Sequence, residues 1–247
     1  MSSFSTRMAA VAKKKKSRII LAVDPKPGMK NIKLFAKKVI EATAGHVCAV
    51  KVNFHLLLPL SSLEIKSITK LAHSYGLLCI ADIKLNDITS TNDAAVEHLA
   101  AMGFDAVIAN PFMGSSTLAA LVKKARSLGL GVIALVYMSH PDAVEGYGLQ
   151  TGDSSNVYHL FLARALDAGA DGVVVGATQT EIIKEVRGRI DIYSPGVGAQ
   201  GGEVEQAVKN GSRYLIVGRS IIESDDPAKA ARDISRRAEQ SSQRDRK

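Results

Sequence analysis

A chain of 247 residues with 46% hydrophobic content is long enough for one large domain with a full core. Its net charge of +8 is terminal: residues 1–18 carry six basic groups and no acid, residues 232–247 carry six basic and three acidic, and residues 19–231 come to −1. A near-neutral body with 5% aromatic residues and no basic stripe interleaved with rings argues against a nucleic-acid enzyme; no apolar run approaches the roughly 18 residues of a membrane span, and no apolar stretch follows the N-terminal charges as a secretory signal requires.

Residues 1–17 read as a basic, flexible tail and residues 241–247 as a charged one, with polyanion binding as the other reading of such ends. Between them, apolar runs alternate with helical stretches. The first strand spans 18–24 (RIILAVD) and its helix 29–43, stopped by Gly45. The second strand covers 46–52 and its helix 62–75; the third strand covers 77–84 and its helix 90–102. The fourth strand is 105–110, followed by a helix over 115–128. The fifth is 131–137, and a longer loop, 138–152, precedes a helix over 155–168. Strands at 171–176, 190–193 and 213–218 alternate with helices at 179–186, 203–210 and 227–239. Cys48 and Cys79 fall inside apolar runs and read as reduced core residues of a cytosolic protein, and their spacing suggests no metal cage.

The strands are continuous Val/Ile/Leu/Ala runs rather than alternating ones, so both of their faces are buried, as in a parallel sheet. Eight strand–helix units predict a single-domain α/β fold, a (β/α)8 TIM barrel over residues 18–240; a doubly wound open sheet is the competitor.

Chemistry in such a barrel sits at the C-terminal ends of the strands. Those ends carry Asp24, Lys51, then Asp82, Lys84 and Asp87, with Asn110, Ser139 and Arg219 further on. Residues two apart on a strand share a face, so Asp82 and Lys84 are predicted side by side. Two carboxylates about 4 Å apart repel by about 4 kcal/mol at an effective dielectric near 20, and a cation between them relieves this. A structural ion-pair network is the bland reading of such a trio. A second cluster, 194–202 (SPGVGAQGG), precedes Gly218-Arg219-Ser220 by one strand. Glycines admit close backbone approach to an anion, and loops after strands 7 and 8 of these barrels bind phosphate. Arg219 adds a bidentate donor. The G-x-G-x-x-G at 196–201 is misplaced for a dinucleotide site, which wants it after the first strand. The six histidines form neither a metal nor a triad pattern, and no G-x-S-x-G elbow surrounds Ser139.

With these pieces in order the chain resembles the orotidine 5′-phosphate decarboxylases of the short archaeal type. The matching stretches are 21–24 (LAVD), 50–52 (VKV), 81–88 (ADIKLNDI), 138–141 (MSHP), 194–202 and 216–220 (IVGRS), which cover the chain from 18 to 240 in order. The resemblance implies a carboxy-lyase acting on orotidine 5′-monophosphate, cytoplasmic and free of metal and cofactor, at the last step of UMP biosynthesis. It implies Lys84 as the cation and proton donor at the carbon that loses carbon dioxide, and Asp82 against the departing carboxylate. Lys51 and Asp24 would hold Asp82 and the ribose hydroxyls. Asp87, Ile88 and Thr91 would come from the partner of a homodimer. Ser139 would read the base with Pro195 packed near it, and Gln200, Gly218 and Arg219 would bind the phosphate. Neither nucleic acid nor membrane is an implied partner.

The nearest rival is the magnesium-dependent 3-keto-gulonate 6-phosphate decarboxylase and hexulose 6-phosphate synthase group, which shares D-x-K-x-x-D but resembles this chain less at Lys51, where that group carries a glutamate. A catalytically silent nucleotide-binding barrel is the reading of a different class; the intact Asp82, Lys84 and Asp87 argue against it. Two departures from the family pattern stand out: Asn53-Phe54-His55 where Gly-Tyr-Pro is expected after Lys51, and Asn110-Pro111 where His-Gly is expected. A phosphoribosyltransferase unit, fused to this enzyme in some relatives, is not in the sequence, so the chain is expected to perform the final step alone.

Overall fold

The computed structural model describes residues 2–152, 155–198 and 201–244. Eight strands close into one parallel barrel in sequence order: β1 Ile19–Val23, β2 Ala49–Asn53, β3 Leu78–Leu85, β4 Ala106–Ala109, β5 Gly131–Tyr137, β6 Gly172–Val175, β7 Ile192–Pro195 and β8 Tyr214–Val217. The ring closes where Ile19 of β1 registers with Leu215 of β8. The helices are α1 Phe4–Lys15, α2 Ile32–Thr43, α3 Phe54–Leu57, α4 Ser62–Ser74, α5 Thr89–Ala101 and α6 Ser115–Ser127, then α7 Val144–Tyr147, α8 Val157–Asp167, α9 Thr180–Val186, α10 Val204–Asn210, α11 Arg219–Ile222 and α12 Pro227–Arg244. None of the described helices is long and apolar enough to cross a membrane.

Alternation along each strand sorts side chains into two cores. Ile20, Ala22, Ile80, Ile108, Leu135, Val174 and Ile216 face the barrel interior. Leu21, Val23, Val50, Val52, Cys79 and Ala81 face the outer helices. Both layers are apolar, which is why the sequence shows unbroken hydrophobic runs.

The expected flexible N-terminal tail is instead α1, an ordered plug across the barrel's N-terminal mouth. Ser3 caps it by accepting from the Thr6 backbone N–H, and Lys13, Lys14 and Lys15 sit in its last turn, where cations suit the helix dipole. Phe4 and Met8, one turn apart, are buried among interior residues of the strands. A Cβ on Gly131 would collide with the Phe4 ring, so that glycine is the socket for the plug. Arg7 donates to the Gly129 carbonyl at 2.7 Å and pairs with Asp105, while Ser5 Oγ donates to Asp171 at 3.1 Å. The lysines advertised a solvated segment; the Phe4/Met8 pair decided its fate. At the other end, α12 continues to Arg244, past the expected start of the tail at 241, and Arg18 ties it down by pairing with Glu239 at 3.0 Å. Residues 245–247 lie outside the described residues.

Candidate active site

The inward-facing residues at the C-terminal ends of the strands enclose a cavity of about 200 Å³. Its polar lining is Asp24, Lys51, Asn53, Asp82, Lys84 and Arg219; Ala22, Ile108, Leu135, Val174 and Ile216 form an apolar floor. Strand register explains why the charges meet. Ala22 stands beside Lys51, and Asn53 beside Asp82, so β1, β2 and β3 present their charges at neighbouring heights.

Asp82 is the hub. It is buried at 6% exposure, with Lys51 Nζ 2.8 Å from Oδ2 and Lys84 Nζ 2.9 Å from Oδ1. Burial by itself pushes its carboxyl pKa up; Lys51 and then Lys84 more than reverse this and hold it below the usual aspartate value. Lys51 is itself only 4% exposed, so its ammonium has exchanged water for carboxylates. Its second neighbour is Asp24, whose Oδ1 lies 3.8 Å from Nζ and 4.0 Å from His55 Nε2. That oxygen is buried and accepts no hydrogen bond.

Lys84 meets Asp82, but not by simple strand alternation. Its φ is +46°, and the β3–β4 register slips between Ala81 and Leu85. A bulge with a left-handed lysine therefore re-aims the side chain toward Asp82. Such a conformation costs on the order of 1–3 kcal/mol for a residue with a Cβ, and it collects at functional sites.

Across the cavity stand Pro195, which ends β7, and Gly218-Arg219, which lead from β8 into α11. A Cβ on Gly218 would sit 3.3 Å from Asp24 Oδ2, so glycine lets the β8 end approach Asp24. Gly196 and Gly198 adopt φ +91° and +76° in the turn after β7, the left-handed backbone that glycine permits.

Asp24, Lys51, Asp82, Lys84, Pro195, Gly218 and Arg219 thus gather around one cavity. Other expected residues do not line it. Ser139 is half-buried at the rim, against Gly176, while its neighbour Met138 lines the cavity. Asp87, Ile88 and Thr91 are exposed at the start of α5. Asp87 Oδ1 accepts from the Ile88 N–H at 2.7 Å, and its backbone carbonyl accepts from Asn92 Nδ2 at 2.7 Å. Gln200 lies outside the described residues. Sequence reasoning missed Asn53 and the apolar floor as site residues. Counting by twos back from Asp82 and out from Lys51 would have found them, because inward-facing positions recur at that interval.

Among the described residues one other set carries metal-type donors, His73, Cys79 and Asp105 near the opposite mouth. Asp105 there already accepts from His73 at 2.8 Å and from the Cys79 N–H at 2.9 Å, and it pairs with the Arg7 guanidinium, which fills the place of a cation.

A family model described as "Orotidine 5′-phosphate decarboxylase / HUMPS family" matches residues 17–234. An orotidine 5′-phosphate decarboxylase of Methanococcoides burtonii is 35% identical over 224 residues, 89% of this chain and 96% of that one. One from Pyrococcus abyssi is 37% identical, covering 81% of this chain and 90% of the relative. Among solved structures, orotidine 5′-monophosphate decarboxylase of Methanocaldococcus jannaschii, complexed with the inhibitor BMP, is similar with a TM-score of 0.76 at 28% identity, over 90% of this chain and 98% of that one. The barrel, its polar mouth and this span of similarity agree: the chain belongs to the orotidine 5′-phosphate decarboxylase / HUMPS family.

Proposed function

We propose that this chain converts orotidine 5′-monophosphate to uridine 5′-monophosphate, the last step of UMP biosynthesis, without metal or organic cofactor. The observation that carries the reading is the line Lys51–Asp82–Lys84, two ammonium groups on one buried carboxylate at the floor of a cavity whose far side holds Arg219. Phosphate bound by Gln200, Gly218 and Arg219 orients the pyrimidine toward Lys84. Asp24 and Lys51, both on the cavity wall, take the ribose hydroxyls. Ser139 reads the base from the rim and Pro195 packs against it.

The substrate carboxylate then lies against Asp82. The bond from C6 to that carboxylate breaks, carbon dioxide leaves, and the electron pair stays on C6. Lys84 Nζ stabilises the developing anion and gives C6 its proton. An ammonium already fixed by a carboxylate needs no reorganisation as charge develops. Departure of carbon dioxide also relieves repulsion from Asp82. Remote phosphate contacts supply binding energy for orienting the base.

The metal-free reading rests on Lys51. A buried ammonium 2.8 Å from Asp82 occupies the ground a divalent cation would need. The ultraviolet assay with orotidine 5′-monophosphate, run with and without excess EDTA, is decisive: turnover unaffected by chelator is expected. Loss of turnover that magnesium restores would move the chain to the metal-dependent branch of the family.

The reading includes a homodimer that shares its active sites, with Asp87, Ile88 and Thr91 reaching the partner's cavity. In support, the Asp87 carboxylate does not line its own cavity, and Ile88 is 67% exposed. Phe112, 70% exposed, lies on the adjoining turn, which meets the Asp87 turn at Asn92. An apolar pair beside a charged residue suits an interface. Mixing inactive Asp82→Asn and Asp87→Asn chains should regenerate activity, since one site of each hybrid is intact. Absence of recovery after demonstrated subunit exchange would end the shared-site model.

A further inference from the structure

At the barrel's N-terminal end, far from Lys84 along the strands, two hollows of about 500 and 770 Å³ adjoin and share Arg18, Arg213 and Ser242. Their walls come from separate parts of the chain. Lys13 and Lys16 stand at the end of α1, Arg187 and Arg189 in the turn between α9 and β7, and Arg236 on α12. The acids lining the same hollows are Asp191 and Glu239.

The pairing within this groove is incomplete. Arg18 pairs with Glu239 at 3.0 Å, Arg213 with Asp191 at 3.3 Å, and Arg236 with Asp233 at 3.9 Å. Lys13, Lys16 and Arg189 have no carboxylate partner among the described residues, and all are exposed. Arg187 is built into the wall. Its stem lies across Gly211, where a Cβ would come within 2.8 Å of Cγ, and its Nη1 donates to the Lys209 carbonyl at 3.1 Å. Glycine at φ +129° therefore admits a guanidinium to the lip of the groove. Because the body of the chain is near neutral, this concentration of cations is local rather than a share of a generally basic surface.

Among the described residues the groove offers no exposed ring on which a base could stack. Tyr214 is the aromatic residue that lines it, and its ring is 1% exposed, packed on Tyr193 and covered by the Arg213 guanidinium at 5.9 Å. Recognition there must rest on negative charge and on oxygen acceptors for guanidinium forks, the chemistry of phosphate. A string of cations along a channel matches a string of anions better than a single one. We propose that this groove binds a polyphosphate chain, either free or as the tail of a nucleoside triphosphate. Its occupant bridges α1, α12 and the turn before β7, and so holds the N-terminal plug to the barrel.

Thermal unfolding of the full chain tests this. Inorganic tripolyphosphate should raise Tm by several degrees over sodium chloride of equal ionic strength, because a ligand that binds only the folded state stabilises it. Calorimetric titration gives the affinity and separates the sources. Equal affinity for tripolyphosphate and ATP assigns the site to a free chain; tighter binding of ATP, with tripolyphosphate still binding, assigns it to a nucleotide tail. The variant Lys13→Glu/Arg189→Glu should lose on the order of tenfold or more in affinity, and its Tm rise with it. The variant Lys70→Glu/Lys123→Glu, on α4 and α6, changes net charge equally and should bind as the parent does. The proposal is overturned if tripolyphosphate gives no shift beyond the salt control. It is equally overturned if both double variants weaken binding alike, or if an oligouridylate binds where tripolyphosphate does not. Turnover of orotidine 5′-monophosphate by the groove variant reports its folding, and should match the parent.

Discussion

The two mouths of this barrel are built from the same residue types and put to opposite uses. At the N-terminal mouth Asp105 accepts from Arg7, His73 and the Cys79 N–H, and Asp171 accepts from Ser5 and the Val132 N–H at 3.1 Å. Each carboxylate stitches one strand to the next and to α1, and the apolar plug of Phe4 and Met8 seals what remains. At the C-terminal mouth Asp82 is also held from both sides, but its partners are ammonium groups facing a cavity. One oxygen of Asp24 accepts no hydrogen bond, and Lys84 carries backbone strain. Carboxylates spent on stitching strands at one end, and a carboxylate aimed with a strained lysine into a cavity at the other, are what a fold shows when stability and chemistry are assigned to opposite faces.

The largest expected effect separates the faces most cleanly. Lys84→Ala should lower turnover of orotidine 5′-monophosphate by about 10³-fold or more, the scale for losing a preorganised charge at the reacting atom. Its Tm should stay near that of the parent, because Lys84 is on the open side of the cavity. Steady-state kinetics with a parallel melt reads both numbers; near-normal turnover would sink the assignment of the catalytic cation.

Phe4→Ala should do the reverse. Removing a ring buried at 3% exposure costs about 3 kcal/mol, or roughly 6–12 °C in Tm for a domain of this size. Turnover measured well below the melt should be unchanged. If Phe4→Ala left Tm where it was, α1 would be an ornament on the barrel rather than its plug.

These two residues also mark what the sequence could and could not reveal. The Asp82–Lys84 spacing pointed to neighbouring side chains, and they are neighbours. Yet the geometry that brings them together is a bulge with a left-handed lysine, which no propensity scale predicts for that residue. The eight-unit barrel was legible because each strand is apolar on both faces. Phe4 was not, because four consecutive lysines nearby outweighed an apolar pair one turn apart, and its socket at Gly131 lies far along the chain. Asn53 departs from the family pattern, yet its register beside Asp82 puts it on the cavity wall. Short helices such as α3, α7 and α11 left no periodic signal, since four residues are barely one turn. The N-terminal groove was invisible for a related reason: its cations come from α1, the turn before β7, and α12.

The smallest effect is on pH dependence, and it bears on both mouths at once. In Asp105, burial pushes the carboxyl pKa up, and His73, the Cys79 N–H and Arg7 more than reverse this, as Lys51 and Lys84 do for Asp82. Both groups therefore bind protons less readily folded than unfolded. Their contribution to stability is fully present above the ordinary aspartate value of 3.8 and is lost as pH falls below it through the depressed folded values. Urea unfolding from about pH 6 down to about pH 3 should show stability falling in the acid range for the parent and less steeply for Asp105→Asn. Asp105→Asn should also cost about 1–3 kcal/mol near neutrality, since Arg7 loses its carboxylate at a partly exposed site. Asp82→Asn should flatten the acid slope too, but it leaves the buried ammonium of Lys51 with Asp24, 3.8 Å away, as its remaining carboxylate neighbour. That variant's stability profile should therefore lie below that of Asp105→Asn at neutral pH, because a buried ammonium has lost its closest partner. Identical profiles for the two variants would mean that Asp82 is another stitch in the sheet, and that the contrast between the mouths is one of position rather than of purpose.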